Sequence, residues 1–172
     1  MIEIIKAEEK HVADIGNLWW EFMEVHQNAD PIFTPRKGSI PSFIENHLRR
    51  FMKSEDGFVL VALEGEKVIG YALVEIMAAS PGFKREKYGE IDQMAITANC
   101  RRNGVGEKMF AAIMIWFQSK SINRVELQTT AKNVLANAFW QKHGFEIYQH
   151  TLYKKSKRIP PFITGYQPSL VL

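Results

Sequence analysis

The segment that most restricts how this chain can fold is Glu90-Ile-Asp-Gln-Met-Ala-Ile-Thr-Ala-Asn-Cys-Arg-Arg-Asn-Gly-Val-Gly106. A strand-forming stretch passes through a short polar loop into a helix that opens on Gly104-Val105-Gly106. Glycines let backbone N–H groups approach a ligand without side-chain obstruction. The first N–H groups of a helix have no internal partner, and the helix dipole favours an anion at that end. Arg101 and Arg102 bring positive charge to the same place. The physical reading is a phosphate cradle at a strand-to-helix junction. A P-loop needs Gly-Lys-Ser/Thr where Gly106-Glu107-Lys108-Met109 stands, and a dinucleotide fingerprint needs glycine at Met109, so both nucleotide readings fail. A Gly-x-Gly alone is equally compatible with a plain tight turn.

The flanking pattern places this junction in a mixed α/β domain. Ile2 to Lys6 reads as a strand, and Glu8 to His26 as an amphipathic helix with Val12, Ile15, Leu18, Trp19 and Phe22 on one face. Trp19 is expected in the core and Trp20 on a freer face. Asp30-Pro31 and Thr34-Pro35 end that helix. Ser39 to Lys53 is a second helix, capped by Ser39. His26 and His47 read as ordinary helix residues, since no metal-ligand spacing surrounds them. Phe58 to Leu63 and Lys67 to Met77 flank a hairpin turn at Glu64-Gly65-Glu66. A loop over 79–88 precedes the strand Glu90 to Thr97. Gly104 to Ser119 is a helix, apolar nearly all round and so expected to be largely buried. Asn123 to Thr129 is a strand, Asn133 to His143 a helix stopped by Gly144, and Phe145 to Lys155 a last strand. The order β-α-α-β-β-β-α-β-α-β implies a mixed sheet with helices on both faces.

Composition excludes several classes. The chain has 172 residues, which suggests one domain. With one cysteine, Cys100, it has no internal disulfide and no multi-cysteine zinc site. No local Cys-His arrangement supports a cysteine nucleophile. The longest apolar run, Met109 to Phe117, falls short of a membrane span. The acidic N-terminal stretch lacks a signal-peptide core, so a cytoplasmic address is expected. Lys154, Lys155, Lys157 and Arg158 raise a nucleic-acid role, but a net charge of +3 opposes it.

Arg101-Arg102-Asn103-Gly104-Val105-Gly106 resembles the Arg/Gln-x-x-Gly-x-Gly/Ala signature of the GCN5-related N-acetyltransferases (GNAT), and Ile96 stands five residues ahead of it as in that family. Asn133-Val-Leu-Ala136-Asn-Ala-Phe139-Trp140-Gln-Lys-His-Gly144-Phe145 resembles the family's Asn-x-x-Ala-x-x-Phe-Tyr-x-x-x-Gly-Phe motif. The resemblance covers 1–156, an N-acetyltransferase domain, and leaves 157–172 as a C-terminal extension. It implies the acyl-CoA N-acyltransferase fold and acetyl-CoA as acyl donor, with no metal. It implies that backbone groups of Met94, Ala95 and Ile96 pair with pantetheine where this strand splays from the one near Asn123. Arg101, Arg102, Asn103, Gly104, Val105 and Gly106 would hold the pyrophosphate. Asn133 would bond the pantetheine arm, or act as a helix N-cap, or both. Ala136 is small where the cofactor passes.

The resemblance also implies that Glu90 is the general base, six residues before Ile96. Asp92 shares its strand face if the strand is regular, as partner or substitute. Trp140 departs from the pattern. It stands beside the cofactor where many members carry a tyrosine that protonates the departing thiolate, and an indole is no acid near neutrality. Tyr148 and Tyr88 are the remaining sources of a proton. Acceptor specificity is expected from residues 20–38 and from the loop 79–89, with Glu21, Glu24, Asp30, Glu90 and Asp92 favouring a cationic amine. The function implied is transfer of an acetyl group to a primary amine by direct attack in a ternary complex. A catalytically silent acyl-CoA-binding sensor is the alternative. The apolar tail after Arg158 packs on its own domain or on a second copy, which would make a homodimer.

Overall fold

The structure, a computed structural model, describes residues 1–154. Its centre is a five-stranded sheet in the spatial order β1 (Ile2–Lys6), β2 (Gly57–Glu64), β3 (Lys67–Ala78), β4 (Lys87–Ile96) and β5 (Val125–Leu127). The first three pairings are antiparallel and β4–β5 is parallel. Val59, Val61 and Leu63 of β2 face one core, while Leu60 and Ala62 face another. A run apolar on both faces belongs to a sheet covered on both sides.

On the first face lie α1 (Val12–Ala29) and a second helical stretch. That stretch is α2 (Ser39–Phe43), a π-helical turn (Ile44–Leu48) and α3 (Arg49–Lys53) in immediate succession. Ile15, Leu18, Trp19, Phe43, Leu48 and Phe51 seal it against Tyr71 and Leu73. Trp19 stacks on Phe43 with 4.7 Å between ring centroids, whereas Trp20 stays half-exposed and bonds Glu24 through its indole N–H. Gly38, not Ser39, is the N-cap of α2, since Ser39 already lies within the helix.

On the second face lie α4 (Val105–Ser119) and α5 (Val134–Lys142). Val105, Met109, Ile113 and Phe117 form a buried stripe at spacing four. Each such side chain contributes about 1.5–3 kcal/mol by leaving water. Burial of α4 is confined to this stripe and its flanks. Ile115, on the outer side, is 67% exposed, so the all-round apolar character does not make a wholly buried helix.

The last expected strand does not form over 145–154, which carry no regular structure; Lys155 lies outside the described residues. Only three residues of β5 are paired, so a following segment has a short template. Contact is made by side chains instead: the Tyr148 hydroxyl donates to Glu126, and Arg124 lies over the Tyr148 ring. Ile147, Leu152 and Tyr153 remain exposed and add no apolar gain. Positions 157–172, expected as an extension, lie outside the described residues.

Candidate active site

The junction between β4 and α4 is built as an open cradle. Gly104 is the N-cap of α4 with φ of +77°, and no side chain caps the helix. A left-handed backbone suits glycine, and a side chain there is strained. A Cβ added at Gly104 would meet no atom within 4 Å, so the space in front is open. Arg101, Arg102, Asn103 and Gly104 are exposed, Val105 is buried and Gly106 half-buried. The N–H groups of the first α4 turn and the positive end of its dipole thus face this opening. Arg102 also has positive φ, +63°, and is free of side-chain bonds to the described residues. Arg101 is committed inward: its Nε donates to the Ile96 carbonyl at 2.8 Å and its Nη2 lies 3.4 Å from Glu21 Oε1. Glu21 also accepts from Thr97 Oγ1 at 2.9 Å and from the Ala98 N–H at 2.6 Å. Glu21 therefore pins the loop to α1, a role its sequence position did not signal.

A gap in the sheet opens beside this cradle. The β4–β5 ladder runs only through Gly89↔Val125, Glu90↔Glu126 and Ile91↔Leu127. Beyond it Met94, Ala95 and Ile96 pair with β3 at Ala72, Tyr71 and Gly70, and β5 offers them no partner. Across the gap Asn133 caps α5, its side chain accepting from the Ala136 N–H at 3.2 Å. Gly106 is the point where three elements touch. A Cβ there would sit 3.3 Å from Ile96 Cδ1 and 3.3 Å from Phe139 Cε2, so even alanine would require these side chains to give by a few tenths of an ångström. Phe139 is thus the aromatic side chain against the start of α4. Trp140, 9% exposed, packs edge-on among Phe110, Phe139 and Phe145.

The chemistry-bearing groups lie on the α1–α3 face of β4. Glu90 pairs across the sheet with Glu75. The β3–β4 register shifts between Leu73↔Gln93 and Val74↔Ile91, which leaves Asp92 as an extra residue in a β-bulge. A bulge re-aims the side chains around it. Asp92 here bonds His47 Nε2 at 2.8 Å, and Gln93 accepts from the Tyr71 hydroxyl at 2.8 Å. The sequence pattern reads His47 as an ordinary helix residue and does not single out Tyr71. Glu75 is held by Arg50 in two bonds of 2.9 and 3.0 Å. Glu126 is held by Arg85, Arg124 and Tyr148. Of these four carboxylates Glu90 alone has no hydrogen-bond or ion-pair partner among the described residues. Burial first, then the charges of Asp92, Glu75 and Glu126, hold its carboxyl above the usual carboxylate range, against Arg50, which lowers it. Of the two tyrosines, Tyr88 lies under the Arg85 guanidinium and is raised by burial, Glu90 and Glu126. Tyr148 is raised chiefly by its bond to Glu126. No group of three or more side chains able to hold a metal occurs among the described residues, and no helix there is long and apolar enough to cross a membrane.

Comparison with known proteins gives a consistent outcome. The model of the acetyltransferase (GNAT) family matches residues 13–145. No curated protein matches the sequence. Among solved structures, a mutant of the BH1408 protein from Bacillus halodurans superposes with a TM-score of 0.81 at 20% identity, over 90% of this chain and 99% of that one. The aminoglycoside antibiotic 6'-N-acetyltransferase AAC(6')-IG from Acinetobacter haemolyticus gives 0.70 at 17% identity, over 90% and 98%. The aminoglycoside N-acetyltransferase AAC(6')-Iy in complex with CoA gives 0.70 at 16% identity, over 92% and 96%. At these identities the superpositions speak for the fold.

Proposed function

Because the chain belongs to the acetyltransferase (GNAT) family, we propose that this N-acetyltransferase moves the acetyl group of acetyl-CoA to a primary amine by direct attack in a ternary complex, with Glu90 receiving the amine's proton. The residues present suit the co-substrate. The uncapped first turn of α4, the open space before Gly104, and Arg102, unengaged among the described residues, suit a pyrophosphate. Asn103, Val105 and Gly106 complete that turn, and Arg101 steadies it from behind by its bond to the Ile96 carbonyl. The unpaired side of Met94, Ala95 and Ile96 suits the pantetheine amides, with Asn133 and Ala136 across the gap. Bound there, acetyl-CoA supplies a thioester carbon and a thiolate leaving group. Of this stretch, Met94 and Ile96 present their backbone N–H groups to the side away from β3, where they would polarise the thioester carbonyl.

One observation carries the assignment of the base: among the described residues Glu90 is the one carboxylate of its cluster without a hydrogen-bond or ion-pair partner, and its surroundings raise its proton affinity. An alkylammonium cannot attack, and an ordinary carboxylate is a weak base for it; burial beside other negative charges brings a carboxylate closer to the task. Asp92, engaged by His47, is the second choice. The Trp140 indole donates no proton usefully and serves packing, so the thiolate leaves without an acid at that position. A coenzyme-A-release screen across amine classes, run on wild type and Glu90→Gln, tests the proposal. Release with at least one amine, lost in the variant, supports it. Tight acetyl-CoA binding with no release for any amine would instead mark a silent acyl-CoA sensor.

A further inference from the structure

We propose, resting on the acetyl-transfer reading above, that His47 is a positioning residue for the acceptor: through its bond to Asp92 it decides whether that carboxylate's negative charge is available to an ammonium ion beside Glu90. Two backbone irregularities meet at this pair. His47 lies on the π-helical turn Ile44–Leu48, and Asp92 is the extra residue of the β4 bulge. A helix that adds a residue to one turn rotates what it presents, and a bulge re-aims its side chains; both devices concentrate at functional sites. The 2.8 Å bond joins residues 45 apart in sequence, across the face that carries Glu90. Holding the helix to the sheet does not require it. Phe43, Leu48 and Phe51 already do so, and a pair whose side chains are 33% and 27% exposed adds little stability.

The pair's charge state is what matters. From β3 the neighbouring polar groups are Tyr71 and Glu75, from β4 Glu90, Asp92 and Gln93, and from the same helical stretch Arg50. Apolar Trp19 of α1 stacks nearby on Phe43, while Glu21 of the same helix is held at Thr97 and Ala98. Arg50, Arg85 and Arg124, which pair with the other carboxylates, stay charged at any working pH. An imidazole changes charge between about pH 5 and 8. Neutral His47 donates Nε2–H to Asp92 and leaves the site anionic. Protonated His47 makes the same bond and cancels the charge, so a cationic amine loses an attraction.

His47→Gln tests this, because its side-chain amide keeps an N–H donor but takes no proton. The charge coupling is read without turnover, from the carboxyl ¹³C shifts of Glu90 and Asp92 in labelled protein, assigned with Glu90→Gln and Asp92→Asn. Wild type is expected to show a second inflection of both signals where an imidazole titrates, and His47→Gln to lack it. With an amine accepted in the release screen, the wild-type acceptor KM is expected to rise about 1.5-fold to fivefold more than that of His47→Gln between about pH 8 and about pH 6, one charge pair's effect in a half-exposed site. The acetyl-CoA KM should be the same in both. Identical titration curves and identical KM profiles overturn the proposal. So does a uniform loss in both KM values, which marks a structural role; His47→Asn, with a shorter amide, repeats the measurement should His47→Gln fold poorly. If no amine is turned over, the acetyl-transfer reading falls, and the carbon titration still decides the coupling.

Discussion

Glu90→Gln separates a catalytic carboxylate from a structural one unusually cleanly. Glu90 makes no hydrogen bond or ion pair with the described residues, so the substitution breaks none, unlike removal of Glu75, which would strand Arg50. The expected kinetic loss in kcat/KM at neutral pH is roughly 10²–10⁴, or about 2.7–5.5 kcal/mol of barrier. The expected stability change has the opposite sign. Because the folded protein raises this carboxyl, chiefly by burial and next by Asp92, its protonated form is the one favoured by folding. Its contribution is fully present below the unfolded pKa of about 4.3 and is lost as pH rises through the higher folded value. At neutral pH the ionised group therefore works against the fold, and glutamine relieves this. Wild-type kcat/KM should rise with pH through the folded pKa of Glu90, and the variant should lack that limb. The assays are a pH–rate profile from coenzyme A release and a melting curve at pH 7. An unchanged pH profile with full activity, or a clear drop in Tm, would refute the assignment of Glu90 as an unengaged base.

Saturating acetyl-CoA, at about a hundred times its Kd, should stabilise the protein by about 2.7 kcal/mol, a rise of roughly 5–10 °C in Tm, while ATP and NAD do much less. Gly104→Asp should abolish that rise by setting a carboxylate before the cradle, and equal shifts with ATP would count against the phosphate site. Trp140→Phe should open space among Phe110, Phe139 and Phe145 and cost about 1–2 kcal/mol, roughly 2–8 °C in Tm, with less than a tenfold loss in rate. A hundredfold loss in a folded protein would place the indole in the chemistry. Gly89→Ala would set a Cβ 2.4 Å from the Phe117 ring, and overpacking of that kind costs about 1–3 kcal/mol; a Tm equal to wild type would contradict the packing of α4 on β4.

Periodicity and local chemistry made much of this readable from sequence. The face of α1, the burial of Trp19 and the cap at Asn133 each depend on neighbours within a turn or two. The Gly104 junction was legible because glycine in that setting has few structural meanings, and its resemblance to a known loop supplied the ligand class. What remained hidden depends on residues far apart. Periodicity places His47 on a helix but says nothing of Asp92, nor that a π turn and a bulge align them. Arg101 reads as a ligand-facing cation until Glu21 and the Ile96 carbonyl are seen to hold it. Apolarity on the outer side of α4 and along residues 145–153 reports a preference for cover, and among the described residues Ile115, Ile147 and Leu152 find little.

The early parting of β4 from β5 has a consequence beyond ligand capture. Past Ile91 and Leu127 the sheet carries a row of main-chain groups with no neighbouring strand among the described residues. Such an edge templates the addition of any extended chain, and natural sheets usually blunt it with charge, proline or a covering element. Under the proposed function the same row would receive the pantetheine arm as an added strand, and blunting it would spoil that use. On that reading, strand addition by partly unfolded copies is expected to be more frequent in the bare protein than in the bound one. Occupancy of the seam should therefore slow heat aggregation by more than the gain in Tm accounts for.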